Sequence, residues 1–258
     1  MKTVRLEMDG AVVRVTLDRP AQFNAISPEL LEDLDAVCAT VEGEPGVKAV
    51  TLMGAGRGFC AGADLTVVRT LAPDPDKWDA FMRTWHRVFD RIERLSMPVV
   101  AGVHGLALAG GLELTLVCDL VVADEDAKLG DQHANFALVA GGGGSQRLPR
   151  LIGARRAKEL MLLGGWLTAQ EALTWGLVNR VAARGTTEAV TLGLARELAG
   201  KSVAASRTAK ALVDRGLDVD LRTALQLELR KVAEHMRTDD AAAGLRAFMA
   251  RSRRKETR

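Results

Sequence analysis

Glu113 follows directly on Gly110-Gly111-Leu112 and precedes Leu114, Thr115, Leu116 and Val117, so an ionisable carboxylate stands inside an otherwise apolar run. A run of this kind reads as a buried helix, and a buried carboxylate needs a partner or a task. The two glycines ahead of it let a ligand approach the backbone closely, and the first N–H groups of a helix have no acceptor within it. Donors beside a carboxylate can hold the oxygen of an enolate while the carboxylate moves a proton. The structural alternative is that the glycines serve close packing and the glutamate faces the positive end of its helix.

Two other stretches are too rich in small residues to be ordinary connections. From Gly54 to Leu65 the chain reads Gly-Ala-Gly-Arg-Gly-Phe-Cys-Ala-Gly-Ala-Asp-Leu, a loop that either packs backbone on backbone or admits a ligand. The run Gly141-Gly142-Gly143-Gly144 is excluded from a helix interior. It reads as a flexible or tightly packed turn ahead of a helix that starts near Ser145.

The elements that must carry these stretches follow from hydrophobic period. Val4–Met8 and Val12–Leu17 alternate around Asp9-Gly10, as in an antiparallel hairpin. Ser27 caps a helix with Pro28 at its first position and Leu30, Leu31, Leu34, Val37, Cys38 and Val41 on one face. Val47–Met53 and Val99–Val103 read as short buried strands with a helix over about 77–95 between them. A Gly-rich turn over 106–111, the Glu113 helix and a strand at Leu120–Ala123 come next. Helices over 154–163 and 168–175 and a strand at Leu177–Val181 precede helices over 188–199, 202–215, 221–236 and 239–250. Strands alternating with helices predict an α/β architecture with mostly parallel strands. Strand signals stop near Gly200, which predicts a core of residues 1–200 and a helical region of 201–258 that docks on its own core or on another subunit.

Composition excludes several classes. At 258 residues and 48% hydrophobic, the chain is long enough for one large domain or a domain with an appendage. A net charge of +2 from 35 basic and 33 acidic residues gives no footprint for nucleic acid, and the locally basic Arg251–Lys255 reads as a solvated end. Cys38, Cys60 and Cys118 are widely spaced and odd in number, which fits reduced thiols in a cytoplasm. The four histidines form no helical pair or cysteine cluster, so no metal is expected. Residues 1–10 lack the apolar core of a signal peptide and no run is long enough to span a bilayer, which points to a cytoplasmic protein without a membrane partner.

Four motifs in this order and spacing resemble the crotonase family, the enoyl-CoA hydratase/isomerase superfamily, over nearly the whole chain. They are Asp18-Arg19-Pro20 with Asn24-Ala25, then Phe59-Cys60-Ala61-Gly62-Ala63-Asp64-Leu65, then Gly105 to Asp119, then Gly141 to Arg150. The resemblance implies a crotonase-like spiral of ββα units with a helical C-terminal trimerisation region, assembled as a homotrimer or a dimer of trimers. It implies an acyl-CoA thioester as substrate, coenzyme A arriving as part of it and no separate cofactor. It also implies that the thioester oxygen is held by the backbone N–H groups of Ala63 and Gly110, each such donor being worth about 3 kcal/mol to a forming oxyanion. Asn24, Ala25, Ala61, Gly62, Asp64, Leu65, Gly111 and Gly141 fall where the resemblance implies contacts to the substrate or its CoA portion.

Hydratases of this family use two glutamates to add water across a conjugated double bond. Glu113 matches the first, and His133, within Gly130-Asp131-Gln132-His133-Ala134-Asn135, stands where the second is expected. The departure counts against simple isomerisation, which usually depends on that glutamate. Hydration stays open, because imidazole titrates near neutrality and can exchange a proton with water or with an α-carbon. A lone histidine is more often a packed core residue, and Asp131 is the neighbour that could assist this one. Ala140 is a second departure, where proline often precedes the glycine run, and His104 reads as structural. The expected activity is hydration of a 2-enoyl-CoA, with Glu113 and His133 handling the water and the α-proton. The alternatives are a hydrolase that cleaves a carbon–carbon bond of a β-dicarbonyl or ring ketone, and a non-catalytic acyl-CoA-binding member of the family.

Overall fold

The computed structural model describes the backbone of residues 1–256 and the side chains of residues 1–250, so the side chains of the basic tail Arg251–Lys255 lie outside the described residues. The chain divides into two compact units, Met1–Arg196 and Glu197–Arg258.

The first unit opens with β1 (Val4–Asp9) and β2 (Val12–Leu17), then α1 (Pro28–Gly43), β3 (Ala49–Gly54), α2 (Leu65–Leu71) and α3 (Pro75–Glu93). The middle of the chain holds β4 (Val99–Val103), β5 (Leu106–Leu108), α4 (Gly110–Thr115), β6 (Leu120–Asp124) and β7 (Lys128–Gly130). It continues through α5 (Gly144–Ile152), α6 (Ala154–Leu163), β8 (Trp166–Thr168), α7 (Ala169–Trp175), β9 (Arg180–Ala182) and α8 (Thr187–Ala199). One sheet runs β1-β2-β3-β4-β6-β9 and a smaller one runs β5-β7-β8. From β2 onward the large sheet is parallel, and the β1–β2 hairpin is its antiparallel edge. Each of β4 and β6 is followed within a few residues by a strand of the small sheet, so the chain steps from one sheet to the other and then into a helical turn. This repeated strand–strand–helix step is the ββα spiral.

The parallel strands are apolar nearly throughout because both their faces are covered: every residue of β4 is buried, and five of the six in β3. α1 buries the apolar face read from its period, and the Ser27 hydroxyl accepts the Leu30 N–H at its start. α3 contributes Phe81, Trp85, Val88, Phe89 and Ile92 to the same core.

Four local features differ from the sequence reading. The small sheet is absent from it, because β5, β7 and β8 are three residues each, too short for a period to register. The segment after Leu65 is helical, since the Asp64 side chain caps it by accepting the Thr66 N–H at 3.0 Å. The Glu113 helix is a six-residue turn and a half, α4, shorter than its apolar run. The strand expected at 177–181 begins at Arg180: Gly176, with φ of +87°, closes α7, and the Leu177 and Val178 N–H groups bond back to the Ala172 carbonyl instead of pairing in a sheet. Of the two forms that the sequence allows for the glycine run, the structure shows the packed turn, for reasons given below.

The second unit consists of α9 (Val203–Gly216), α10 (Leu221–His235) and α11 (Asp239–Glu256). Ser202 and Asp220 cap the first two. Val213, Leu217, Leu221, Leu225, Leu229 and Met236 are exposed on them. No helix among the described residues is long and apolar enough to cross a membrane.

Candidate active site

Glu113 reaches its position through an unusual backbone. β5 is held on one side by the Cys60–Ala107 bridge and the Leu108 N–H to the Cys60 carbonyl, and the Ala109 N–H bonds the Gly130 carbonyl. Ala109 then takes φ of +48° and ψ of −116°, a conformation that costs a non-glycine residue about 1–3 kcal/mol and persists only where its surroundings fix it. That turn aims the start of α4 at the loop of residues 54–65. The approach is close: a Cβ on Gly111 would lie 2.0 Å from the Cys60 carbonyl oxygen, and one on Gly62 would lie 3.2 Å from the Gly110 nitrogen.

Two N–H groups meet there. Gly110 is the first residue of α4, so its N–H has no acceptor inside the helix. Ala63 bridges to Ile26 through its neighbours, the Gly62 carbonyl and the Asp64 N–H, which leaves its own N–H turned away from that strand. The loops that carry these two N–H groups approach each other where Gly62 faces the Gly110 nitrogen.

Glu113 is 2% exposed. Its Oε1 accepts the Gly144 N–H at 2.7 Å. A Cβ on Gly144 would lie 2.9 Å from Oε1 and one on Gly142 2.6 Å from Oε2, so the glycine run is glycine because the carboxylate packs against it. The run is anchored in turn by Arg147, whose guanidinium donates to Glu93 on α3 at 2.6 and 3.1 Å. Burial drives the Glu113 pKa up; the N–H groups of Gly144 and Gly142 and the nearby His133 pull it down without cancelling that rise.

His133 opens a short 3-10 turn, His133–Phe136, flanked by Gln132 and Ala137, both at positive φ. Gln132 donates to the carbonyls of Gly164 and Gly165 at 2.7 and 3.0 Å, and Asn135 donates to Gly164 at 2.9 Å, which fixes the turn on the α6–β8 connection. The imidazole Nδ1 lies 3.1 Å from Oδ1 of the buried Asp131. At this separation the Asp131 carboxylate favours the protonated imidazole. Burial pulls the His133 pKa down, yet the carboxylates of Asp131 and Glu113 outweigh it and the pKa ends above the ordinary histidine value. With Nδ1 facing Asp131, Nε2 is left for other work.

The remaining candidates divide. Asn24 is fully buried and its carboxamide is spent on the framework: Oδ1 accepts from Arg19, and Nδ2 donates to the carbonyls of Ala55, Gly58 and Phe59. Its side chain therefore serves the framework of the loop. Ala25 is buried, with its carbonyl bonded to Arg19. Asp64 pairs with Arg19 at 2.8 Å while capping α2, so its carboxylate organises the loop. Gly62 and Gly111 are buried where the two loops meet, and Ala61 is half-buried with its N–H on the Phe23 carbonyl. Leu65 is exposed, and Gly141 faces the methyl of Met82 on α3. His104 bonds the Gly56 carbonyl at 3.0 Å, in keeping with a structural role. The Cys60 thiol is pushed up to about 12 by complete burial, which removes it as a nucleophile.

Trp85 was hidden from sequence reasoning. Its ring lies 2.6 Å from where a Cβ on Gly110 would stand and its Nε1 2.7 Å from where one on Gly142 would, so it forms the wall between the two. Only its place on the apolar face of α3 registers in the sequence, and that reads as core. A cavity of about 780 Å³ lies away from these groups, lined by Arg5, Arg14, His104, Asp124 and Thr187 among others. Of its three arginines, Arg5 pairs with Asp18, Arg14 with Glu7 and Glu188, and Arg57 lies over the Phe23 ring, and neither Glu113 nor His133 lines the cavity.

Comparison with known proteins follows the same outline. The family model described as enoyl-CoA hydratase/isomerase matches residues 7–256. The short-chain-enoyl-CoA hydratase of Clostridium acetobutylicum is 34% identical over 250 residues, 96% of this chain and 95% of that one. The mitochondrial methylglutaconyl-CoA hydratase of Mus musculus is 35% identical over 247 residues, 94% of this chain and 78% of that one. The crystal structure of an enoyl-CoA hydratase from Bacillus anthracis superposes with a TM-score of 0.91 at 36% identity, covering 96% of each chain.

Proposed function

The chain belongs to the enoyl-CoA hydratase/isomerase family, and from that premise we propose that it hydrates the double bond of a 2-enoyl-CoA thioester. The observation that carries the reading is the pairing of a buried carboxylate, Glu113, with an imidazole, His133, whose protonated form is favoured by Asp131. One is suited to accept a proton and the other to give one. Glu113 takes a proton from water as its oxygen bonds to the β-carbon. The π electrons move toward the α-carbon and the thioester oxygen, where the Ala63 and Gly110 N–H groups stabilise the enolate. His133 then delivers a proton from Nε2 to the α-carbon. Coenzyme A enters and leaves as part of the substrate, and the chemistry calls on no further cofactor.

The experiment is incubation of the purified protein with short, branched and aromatic 2-enoyl-CoA thioesters, with mass analysis of the products. A product heavier by one water supports the reading. Thioesters bound but returned unchanged by the whole panel contradict it. The exposed apolar residues of α9 and α10 support a homotrimer or dimer of trimers, which light scattering checks; a monomer contradicts it. The free cysteines support a cytoplasmic setting, which fractionation checks; recovery outside the cytoplasm contradicts it.

A further inference from the structure

Asp131 and His133 stand two residues apart, and the conformation of the residue between them brings them together. Gln132 has φ of +61° and ψ of −11°, in the left-handed region. A residue with a side chain enters that region at a cost, whereas glycine enters it freely. With Gln132 turned in this way, Oδ1 of Asp131 accepts the His133 N–H at 3.3 Å and lies 3.1 Å from Nδ1 of its ring. A return of Gln132 to negative φ would redirect the chain at that point and carry the imidazole off the carboxylate.

The side chain of Gln132 opposes that return. Its Nε2 donates to the carbonyls of Gly164 and Gly165 at 2.7 and 3.0 Å. Its Oε1 accepts from Nδ2 of Asn135 at 3.1 Å, and the same Nδ2 donates to the Gly164 carbonyl at 2.9 Å. Both ends of the carboxamide are engaged, and the carbonyls that receive it belong to a fixed element: Gly164 closes α6, and the N–H groups of Gly164 and Gly165 bond the Leu160 carbonyl. Gly130, the last residue of β7, packs on the same point, for a Cβ there would lie 2.7 Å from the Gly165 carbonyl oxygen. Glycine at position 132 would adopt this φ at no cost and leave it as readily. Glutamine, with its amide tied at both ends, is held in it.

We propose that Gln132 is a positioning residue: its carboxamide, fixed to the end of α6, locks the left-handed turn that holds His133 against Asp131. Its part in turnover rests on the hydration reading above, in which His133 gives a proton to the α-carbon; its hold on the ring does not depend on that reading. The charged groups that act on the imidazole are Asp131, just after β7, and Glu113 on α4. Release of the turn separates the ring from Asp131, and the ring then gives up its proton at lower pH. It also spreads the imidazole over several placements, of which only the one seen here keeps Nδ1 on the carboxylate and leaves Nε2 for the substrate.

The test uses two replacements in the full chain. Gln132→Met keeps the length of the side chain and removes its amide, while Gln132→Gly removes the amide and the cost of the positive φ together. In each, the His133 ring is titrated by NMR with isotope-labelled histidine, its signal identified as the one missing from His133→Gln, and kcat for a short 2-enoyl-CoA is followed against pH. In the unmodified protein His133 titrates above the ordinary value of 6.5. In Gln132→Met the titration and the basic limb of kcat both move to lower pH, and kcat at neutral pH falls about tenfold, the share of chains still in the left-handed turn. Gln132→Gly lies between the two, with kcat within about threefold of the unmodified protein. A packing role gives the opposite order, because methionine fills the space that glycine empties. An unmoved His133 titration in Gln132→Met overturns the proposal, and so does a glycine variant no better than the methionine one. Where the unmodified protein hydrates nothing and Gln132→Met still shifts the titration, the hydration reading fails and the hold on His133 stands, so the two failures are told apart.

Discussion

Oδ1 of Asp131 lies 3.1 Å from Nδ1 of His133, and Asp131 is almost wholly buried. Burial alone would lower the pKa of this half-buried imidazole; the carboxylate reverses that, so the ring holds its proton to higher pH than an ordinary histidine. Activity that needs the imidazolium is kept at low and neutral pH and falls as pH rises through that raised pKa. In Asp131→Asn the basic limb of the kcat profile moves to lower pH, and turnover on the alkaline side drops about tenfold. A pH profile of hydration checks this; an unmoved limb removes Asp131 from the proton transfer.

Gly142→Ala puts a methyl group 2.6 Å from Glu113 Oε2 and 2.7 Å from Trp85 Nε1. Either the carboxylate or the indole must shift, and misplacement on this scale costs about 100-fold in kcat. Gly43→Ala, where nothing stands within 4 Å, serves as the control and leaves kcat unchanged. Steady-state kinetics on the two variants separates a site effect from a general one.

Glu113→Gln abolishes hydration without destabilising the fold. The carboxyl pKa is raised by burial, so its contribution to stability is fully present below the unfolded-state value near 4.5 and is lost as pH rises through the folded value. Glutamine carries no charge to bury and still accepts the Gly144 N–H. Urea midpoints at pH 8 are therefore equal or higher in the variant, with the advantage shrinking toward pH 4; a lower midpoint at pH 8 contradicts the assignment of a strained, buried carboxylate.

Asp64→Asn keeps a capping side chain for α2 but loses the charge that meets Arg19, a pair whose side chains are 14% and 17% exposed. The cost is about 2 kcal/mol at neutral pH. Burial raises the Asp64 pKa and the Arg19 guanidinium more than reverses it, so the folded value lies below 3.8. The stabilisation is present above that unfolded value and disappears as pH falls through the folded one. Denaturation of both proteins at neutral and acid pH checks the convergence.

The large sheet was legible where β1 and β2 alternate around Asp9-Gly10 and where β3, β4 and β6 are apolar runs, and α1 and α6 because their faces are periodic. The small sheet was not, since three residues carry no period and its partners lie far apart in the chain. Glu113 was legible as a charge in an apolar run, and His133 only through the motif around it. Its dependence on Asp131 turns on an approach between side chains that spacing alone leaves open. The framework bonds of Asn24 were not legible because they run to three carbonyls over 30 residues away. Trp85 stayed hidden because a tryptophan on the apolar face of α3 reads as core, whatever loops it packs against.

The most direct measurement is the decay of the conjugated-enoyl absorbance when the purified protein meets a short 2-enoyl-CoA, with Glu113→Gln and His133→Gln alongside. The expected result is rapid decay in the unmodified protein and a loss of at least about 100-fold in both variants, each still folded and still binding the thioester. Rapid decay that survives either substitution contradicts a hydration shared between Glu113 and His133.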